Sequence, residues 1–128
     1  MGVSIYYSAK RDTALSDGER SAIADAIRRY SVEKAIDQYQ RIGVGLNWES
    51  FCVYNPDNPN DPLDPGVIFQ GATRLPSNRE DAVEIGARHW CRALAAIRRI
   101  LHDAEWNVHI DDCPIKWDEK KKEYDLEP

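Results

Sequence analysis

The segment REDAVEIGARHWCRALAAIRRIL, residues 79–101, constrains the fold more than any other part of this chain. Val83, Ala87, Trp90, Leu94, Ile97 and Leu101 recur at helical spacing and line up as one apolar stripe. A helix cannot cover its own stripe, so a second layer must receive it, and the β-type segments elsewhere in the chain predict a sheet. Ser77 with Glu80 three residues later has the spacing of a capping box, which predicts the helix start. Arg88, Arg92 and Arg99 run along the opposite face, with Glu84 one turn before Arg88. Such a ridge can grip a phosphate or a carboxylate-rich partner, and it is equally what a solvated face with an i,i+4 pair looks like.

The sheet is read from alternation. Val3, Ile5 and Tyr7 alternate with Ser4, Tyr6 and Ser8, a period of two that marks a half-buried strand. Trp106, Val108 and Ile110 alternate in the same way with Asn107, His109 and Asp111. Between them, NWESFCVY predicts a second strand with Phe51 and Val53 on one face, and VIFQGATRL predicts a third, antiparallel to it. Ser16 and Glu19 form another capping box ahead of Ile23, Ile27 and Tyr30. Val32, Ile36 and Tyr39 repeat that spacing in a shifted register after Ser31, so the first helix should end near Tyr30 and an extra helix should run to about Arg41. NPDNPNDPLDPG must be an extended loop, because proline lacks the amide that a helix or ladder needs.

The order of these elements predicts an α+β fold, a ferredoxin-like βαββαβ two-layer sandwich with a four-stranded antiparallel sheet, both capped helices lying on one face. With 128 residues the chain fits a single α+β domain that hides about two thirds of its unfolded surface. Residues 117–128 read as a charged tail, free to be flexible, with Trp117 and Tyr124 available for docking. The absence of a long apolar run or a signal pattern predicts a cytoplasmic location and no membrane contact.

Charge narrows the partners. The net charge is −5, and the acidity is concentrated: residues 46–78 hold one basic against four acidic side chains, and residues 103–128 hold four against nine. Such fields repel phosphate backbones and attract cations, which predicts a cationic protein partner and no nucleic acid. Trp48, Tyr54, Asp57, Asp61, Asp64, Trp117, Asp118 and Glu119 are the candidate contacts, aromatic anchors among carboxylates.

The richest chemical stretch is WNVHIDDCPIKW, residues 106–117. Alternation sends His109 and Asp111 to the outer sheet face, where a first strand paired with the last would place Tyr6 beside them. Tyr6, His109 and Asp111 then form a candidate acid/base group, His109 acting as base with a carboxylate to raise its pKa. The same pattern describes any solvated sheet face. A metal reading would recruit His109, Asp111, Cys113 and either His89 or His102, but the two helical histidines are too far apart to share an ion, so no metal is expected. The oxygen-rich central loop lacks the EF-hand spacing, and Asx-Pro turns account for its composition. Cys52, Cys91 and Cys113 show no C-x-x-C spacing and read as reduced, mostly packed thiols. No P-loop, dinucleotide fingerprint, nucleophile elbow or zincin motif occurs, and no cofactor is expected.

The stretches MGVSIYYSA, HWCRALAAIRRIL, WNVHIDD and WDE resemble a set of small bacterial cytoplasmic proteins, to which no activity or catalytic residue is attached. In size, acidity and lack of motifs the chain is also similar to immunity proteins of bacterial polymorphic toxin systems. That second resemblance implies an inhibitor that covers a cationic toxin and brings no residue with it. A small enzyme built on the His109 face, or a homodimer pairing sheet faces instead of a monomer, are the other expectations.

Overall fold

A computed structural model describes residues 2–54 and 63–126. The chain runs β1 (Ser4–Lys10), α1 (Asp17–Arg29), α2 (Glu33–Ile42), β2 (Val67–Arg74), α3 (Ala82–Ile100), β3 (Glu105–Ile110), β4 (Cys113–Pro114), β5 (Lys116–Asp118) and β6 (Glu123–Asp125). It is a mixed α+β fold. β1 lies inside a four-stranded antiparallel sheet ordered β2-β1-β3-β4, and β5 and β6 form a separate hairpin.

Alternation decides which way the sheet faces. Ile5, Tyr7 and Ala9 of β1 point into the core with Phe69 of β2 and Val108 of β3, while Tyr6 is left 40% exposed on the reverse face. The α3 stripe meets that inner face: Trp90, Leu94, Ile97 and Leu101 are buried, and Ile23 and Ala26 of α1 join the same cluster. Each fully buried side chain of this size contributes about 1.5–3 kcal/mol relative to exposure, so the stripe anchors the layer. α1 starts as its sequence predicts, the Glu19 amide donating to Ser16 Oγ at 3.1 Å and the Ser16 amide to Glu19 Oε1 at 2.9 Å. α2 ends at Gly43 in the left-handed region (φ 69°), and none of its residues is fully buried.

Two sequence expectations fail here. The strand expected over NWESFCVY does not form; Val53 makes one isolated antiparallel bridge to Gly71, and the fourth place in the sheet is taken by β4 on the opposite edge. Side chains have replaced the ladder: the Tyr7 hydroxyl donates to the Cys52 carbonyl, and the Cys52 amide donates to Thr73 Oγ1 at 3.1 Å. Phe51 is drawn inward between Tyr7 and Trp90, with ring centroids 4.8 and 5.1 Å away, while Val53 is 38% exposed, so the two do not share a face. The Ser77–Glu80 capping box is also absent, and α3 begins after Asp81 without a side-chain cap. Asn47 Oδ1 instead accepts from the Ser77 and Asn78 amides at 2.8 and 3.2 Å, and Asn78 Oδ1 accepts from the Asn47 amide at 3.1 Å.

Residues 116–125 fold into the β5–β6 hairpin and dock on α3. Arg98 lies 4.3 Å over the Trp117 ring and 5.7 Å over Tyr124, and Tyr124 is buried. Among the described residues, no helix is long and apolar enough to cross a membrane.

Candidate functional site

Pairing of β1 with β3 sets Tyr6 directly opposite His109, and their rings stack with centroids 5.0 Å apart and planes 15° apart. His109 Nδ1 lies 2.5 Å from the Asp111 carbonyl oxygen, the geometry of an Nδ1–H donor, which leaves Nε2 to present its lone pair. Asp111 adopts a left-handed conformation (φ 48°), and its carboxylate turns away from the ring to accept from the Ser4 amide at 3.2 Å. The Asp111 amide donates in turn to the Ser4 carbonyl at 3.0 Å, so this residue closes the end of the β1–β3 ladder. Tyr6, His109 and Asp111 are therefore neighbours, but the imidazole is oriented by a peptide oxygen and the carboxylate by a backbone amide.

The predicted contact residues divide. Trp48 is half-buried and meets His89 and Trp90 edge-on, at 5.1 and 5.9 Å between centroids. Trp117 is half-buried beneath Arg98, and its indole N–H donates to Glu119 at 2.7 Å. Asp118 accepts from the Lys120 and Lys121 amides at 3.0 and 3.1 Å and so shapes the hairpin turn. Glu119 is exposed, and the bonds from Lys122 and Trp117 hold its carboxyl below the usual range. Tyr54 and Asp64 are exposed. Asp57 and Asp61 lie outside the described residues.

Sequence reasoning missed a stretch of the chain that exposes large apolar side chains. Six large hydrophobic side chains are exposed among the described residues, and four of them fall from the end of α2 to the approach to β2: Ile42, the last residue of α2, at 66%, then Val44 at 54%, Val53 at 38% and Tyr54 at 37%. The signal was present, since Gly43 and Gly45, both at positive φ, end α2 just after Ile42 and leave Val44 between them with no element to bury it. Beside Val53 and Tyr54, a cleft of about 230 Å³ is walled by Leu15, Ile23 and Ile27 with Arg20 at its edge.

The three thiols do not behave alike. Cys91 is buried, and burial pushes its pKa up to about 12, which keeps it protonated at neutral pH. Cys52 and Cys113 are exposed residues, contrary to the expectation of mostly packed thiols. His89 is on α3 with a ring nitrogen 2.7 Å from the Tyr30 carbonyl, well away in sequence and contacts from His109. Among the described residues, no group of three or more His, Cys, Asp or Glu side chains is placed to hold a metal ion.

Comparison with protein-family models, with curated proteins and with solved structures finds no match for this chain.

Proposed function

We propose that this chain is an acidic protein-binding module, an immunity-type inhibitor that acts in the cytoplasm by covering a cationic bacterial toxin. The observation that carries this reading is the exposure of Val53 and Tyr54 within the acidic segment 46–78, with Ile42 and Val44 exposed just before it in sequence. Apolar side chains supply affinity once water is excluded, and Glu49 and Asp64, both exposed, supply a field that a cationic surface would meet favourably. Tyr54 is the contact residue of greatest interest in this reading; Trp48 is half-buried against His89 and Trp90, and Trp117 belongs to the hairpin against Arg98 and Tyr124. The test is co-expression with a toxin domain encoded beside this gene. Protection of the host, lost in the Tyr54→Ala variant while the protein stays folded, supports the reading; a tagged protein that neither protects nor binds that domain overturns it.

A second reading rests on a different observation, the Tyr6–His109 stack with Nε2 unencumbered on the open sheet face. It makes the protein a small enzyme with His109 as general base. An activity abolished by His109→Ala and kept by Tyr54→Ala would favour it. The inhibitor reading takes the protein as a monomer; light scattering separates this from a homodimer paired through the Tyr6 face.

We also infer a ferredoxin-like βαββαβ ancestry for the sandwich, its second strand reduced to the Val53–Gly71 bridge. Antiparallel placement of β1 between β2 and β3, with α3 joining those two strands, supports this assignment.

A further inference from the structure

A second surface, independent of the protein-binding reading, lies where the last turn of α3 meets the β5–β6 hairpin. Arg98, Arg99, His102, Trp117, Glu119 and Lys122 line a cleft of about 390 Å³. Three permanent cations face one carboxylate there, although the chain as a whole carries a net charge of −5. That volume falls within the usual range for small-molecule sites, about 300–1,000 Å³.

The two guanidinium groups are fixed without a direct ion pair. Arg98 lies 4.3 Å over the Trp117 ring and donates through Nη1 to the Tyr124 hydroxyl at 3.3 Å. Arg99 donates through Nε and Nη2 to the Lys122 carbonyl at 3.0 and 2.7 Å. Among the described residues neither takes part in an ion pair, whereas Arg11, Arg28, Arg41 and Arg79 all do. Their direct partners are an aromatic ring, a hydroxyl and a peptide oxygen, so each still has N–H groups to donate, and Glu119 acts on Arg98 only through space. Glu119, the one acid in the cleft, is already engaged by Lys122 and by the Trp117 indole at 2.7 Å.

Basic residues in a last helical turn also complement the helix dipole, and solvated side chains would serve that purpose. Dipole pairing does not account for two guanidiniums clamped to a second element around a cleft. Fixed guanidiniums with no direct ion pair suit recognition of a doubly charged oxyanion, because an arginine fork matches two oxygens at once. The acidic surroundings disfavour a long polyanion, leaving a small one.

We propose that this cleft binds a phosphate dianion, either free phosphate or the head of a small phosphate monoester, with Arg98, Arg99 and Lys122 as its donors. Titration of the full chain with inorganic phosphate and with phenyl phosphate, at constant ionic strength set by sodium chloride, tests it through the indole and arginine Nε–H signals in nitrogen-15 NMR. Saturable shifts of Trp117, Arg98 and Arg99 are expected, with the Trp90 indole unmoved. Affinity should fall at least tenfold in Arg99→Ala and in Lys122→Gln; the second variant changes an exposed side chain and leaves intact the carbonyl that Arg99 holds. Arg41→Gln on α2 should bind as the parent does. Tighter binding of phenyl phosphate than of inorganic phosphate identifies a monoester as the ligand class, and equal binding identifies free phosphate. Shifts that fail to saturate, that chloride alone reproduces, or that survive both Arg99→Ala and Lys122→Gln would overturn the proposal.

Discussion

Gly71 is where the inner sheet face and the replaced strand come closest. A Cβ at this position would overlap the Cys52 carbonyl oxygen and lie 2.6 Å from the Tyr7 ring. Both neighbours are locked: the carbonyl accepts from the Tyr7 hydroxyl, which also bonds Thr73 Oγ1 at 2.8 Å. Burial raises the Tyr7 pKa, so that hydroxyl stays protonated and able to donate across the working pH range. Gly71→Ala should therefore behave as an overpacked core, losing about 1–3 kcal/mol of stability in urea unfolding with an unchanged slope. A variant as stable as the parent would mean that residues 51–53 can move off the sheet freely. None of this was legible in the sequence. A glycine inside VIFQGATRL signals some close approach, but the group that approaches lies nineteen residues earlier, in a segment whose own pattern predicted an ordinary strand.

At the scale of elements, periodicity worked where one layer buries one face and failed where side chains took over backbone bonds. β1, α1, α3 and β3 each carry enough apolar repeats to fix their inward face. The segment 47–54 and the α3 start do not, because Thr73 and the Asn47–Asn78 pair accept from their amides and the Tyr7 hydroxyl donates to the Cys52 carbonyl, all from outside. The join between β1 and α1 shows a further contact that local pattern does not reveal. Arg11 extends from the end of β1 to Glu19 at 2.6 Å and to Asp103 at 2.9 Å, and also donates to the Thr13 carbonyl at 2.9 Å. Arg11, together with the Ser16 cap, holds the Glu19 carboxyl down at about 2, against 4.5 for the free group. A depressed carboxyl pKa gives stability that is complete above the unfolded value and is lost as pH falls through the folded one. Thermal scans between pH 6 and 2 should thus show the parent losing Tm below about pH 4.5 more steeply than Glu19→Gln, which has no proton to take up there. Parallel curves for the two proteins would remove Glu19 from the acid response.

The hairpin belongs to the same scale, since α3 is completed by what docks on it. Tyr124 is 8% exposed; it packs against Trp117 at 4.9 Å and lines, with Cys91, a cleft of about 270 Å³. Tyr124→Ala should cost about 3 kcal/mol, the lower end for a buried aromatic, and should loosen the hairpin as a unit. Thiol labelling reads this directly. In the parent, Cys52 and Cys113 should react at neutral pH and Cys91 should not, its pKa being pushed to about 12 by burial; in Tyr124→Ala, Cys91 should become reactive before global unfolding. Equal protection of Cys91 in both proteins would show that α3 and the sheet shield it without the hairpin.

Over the whole molecule, charge is partly spent internally and partly left outside. The basic segment 79–102 supplies α3, and the acidic segment 103–128 supplies the hairpin that docks on it, so some of the C-terminal acidity faces arginine side chains of the same chain. The acidity of residues 46–78 has fewer such outlets: the segment contains one basic residue, Arg74, against four acids, and its exposed members Glu49 and Asp64 accompany Val53 and Tyr54. An association driven from this side divides into a long-range and a contact part. Screening lengths shrink to about 8 Å at physiological salt, so the rate of encounter with a cationic partner should fall about tenfold or more as salt rises from low to physiological strength, while dissociation changes little. Tyr54→Ala should do the reverse, leaving encounter intact and speeding dissociation, by about thirtyfold if the ring is a central anchor worth about 2 kcal/mol. Stopped-flow or biosensor kinetics across a salt series with both proteins distinguish the two parts. An encounter rate indifferent to salt would place the contact elsewhere, on the electrically mixed face of α3 and the hairpin.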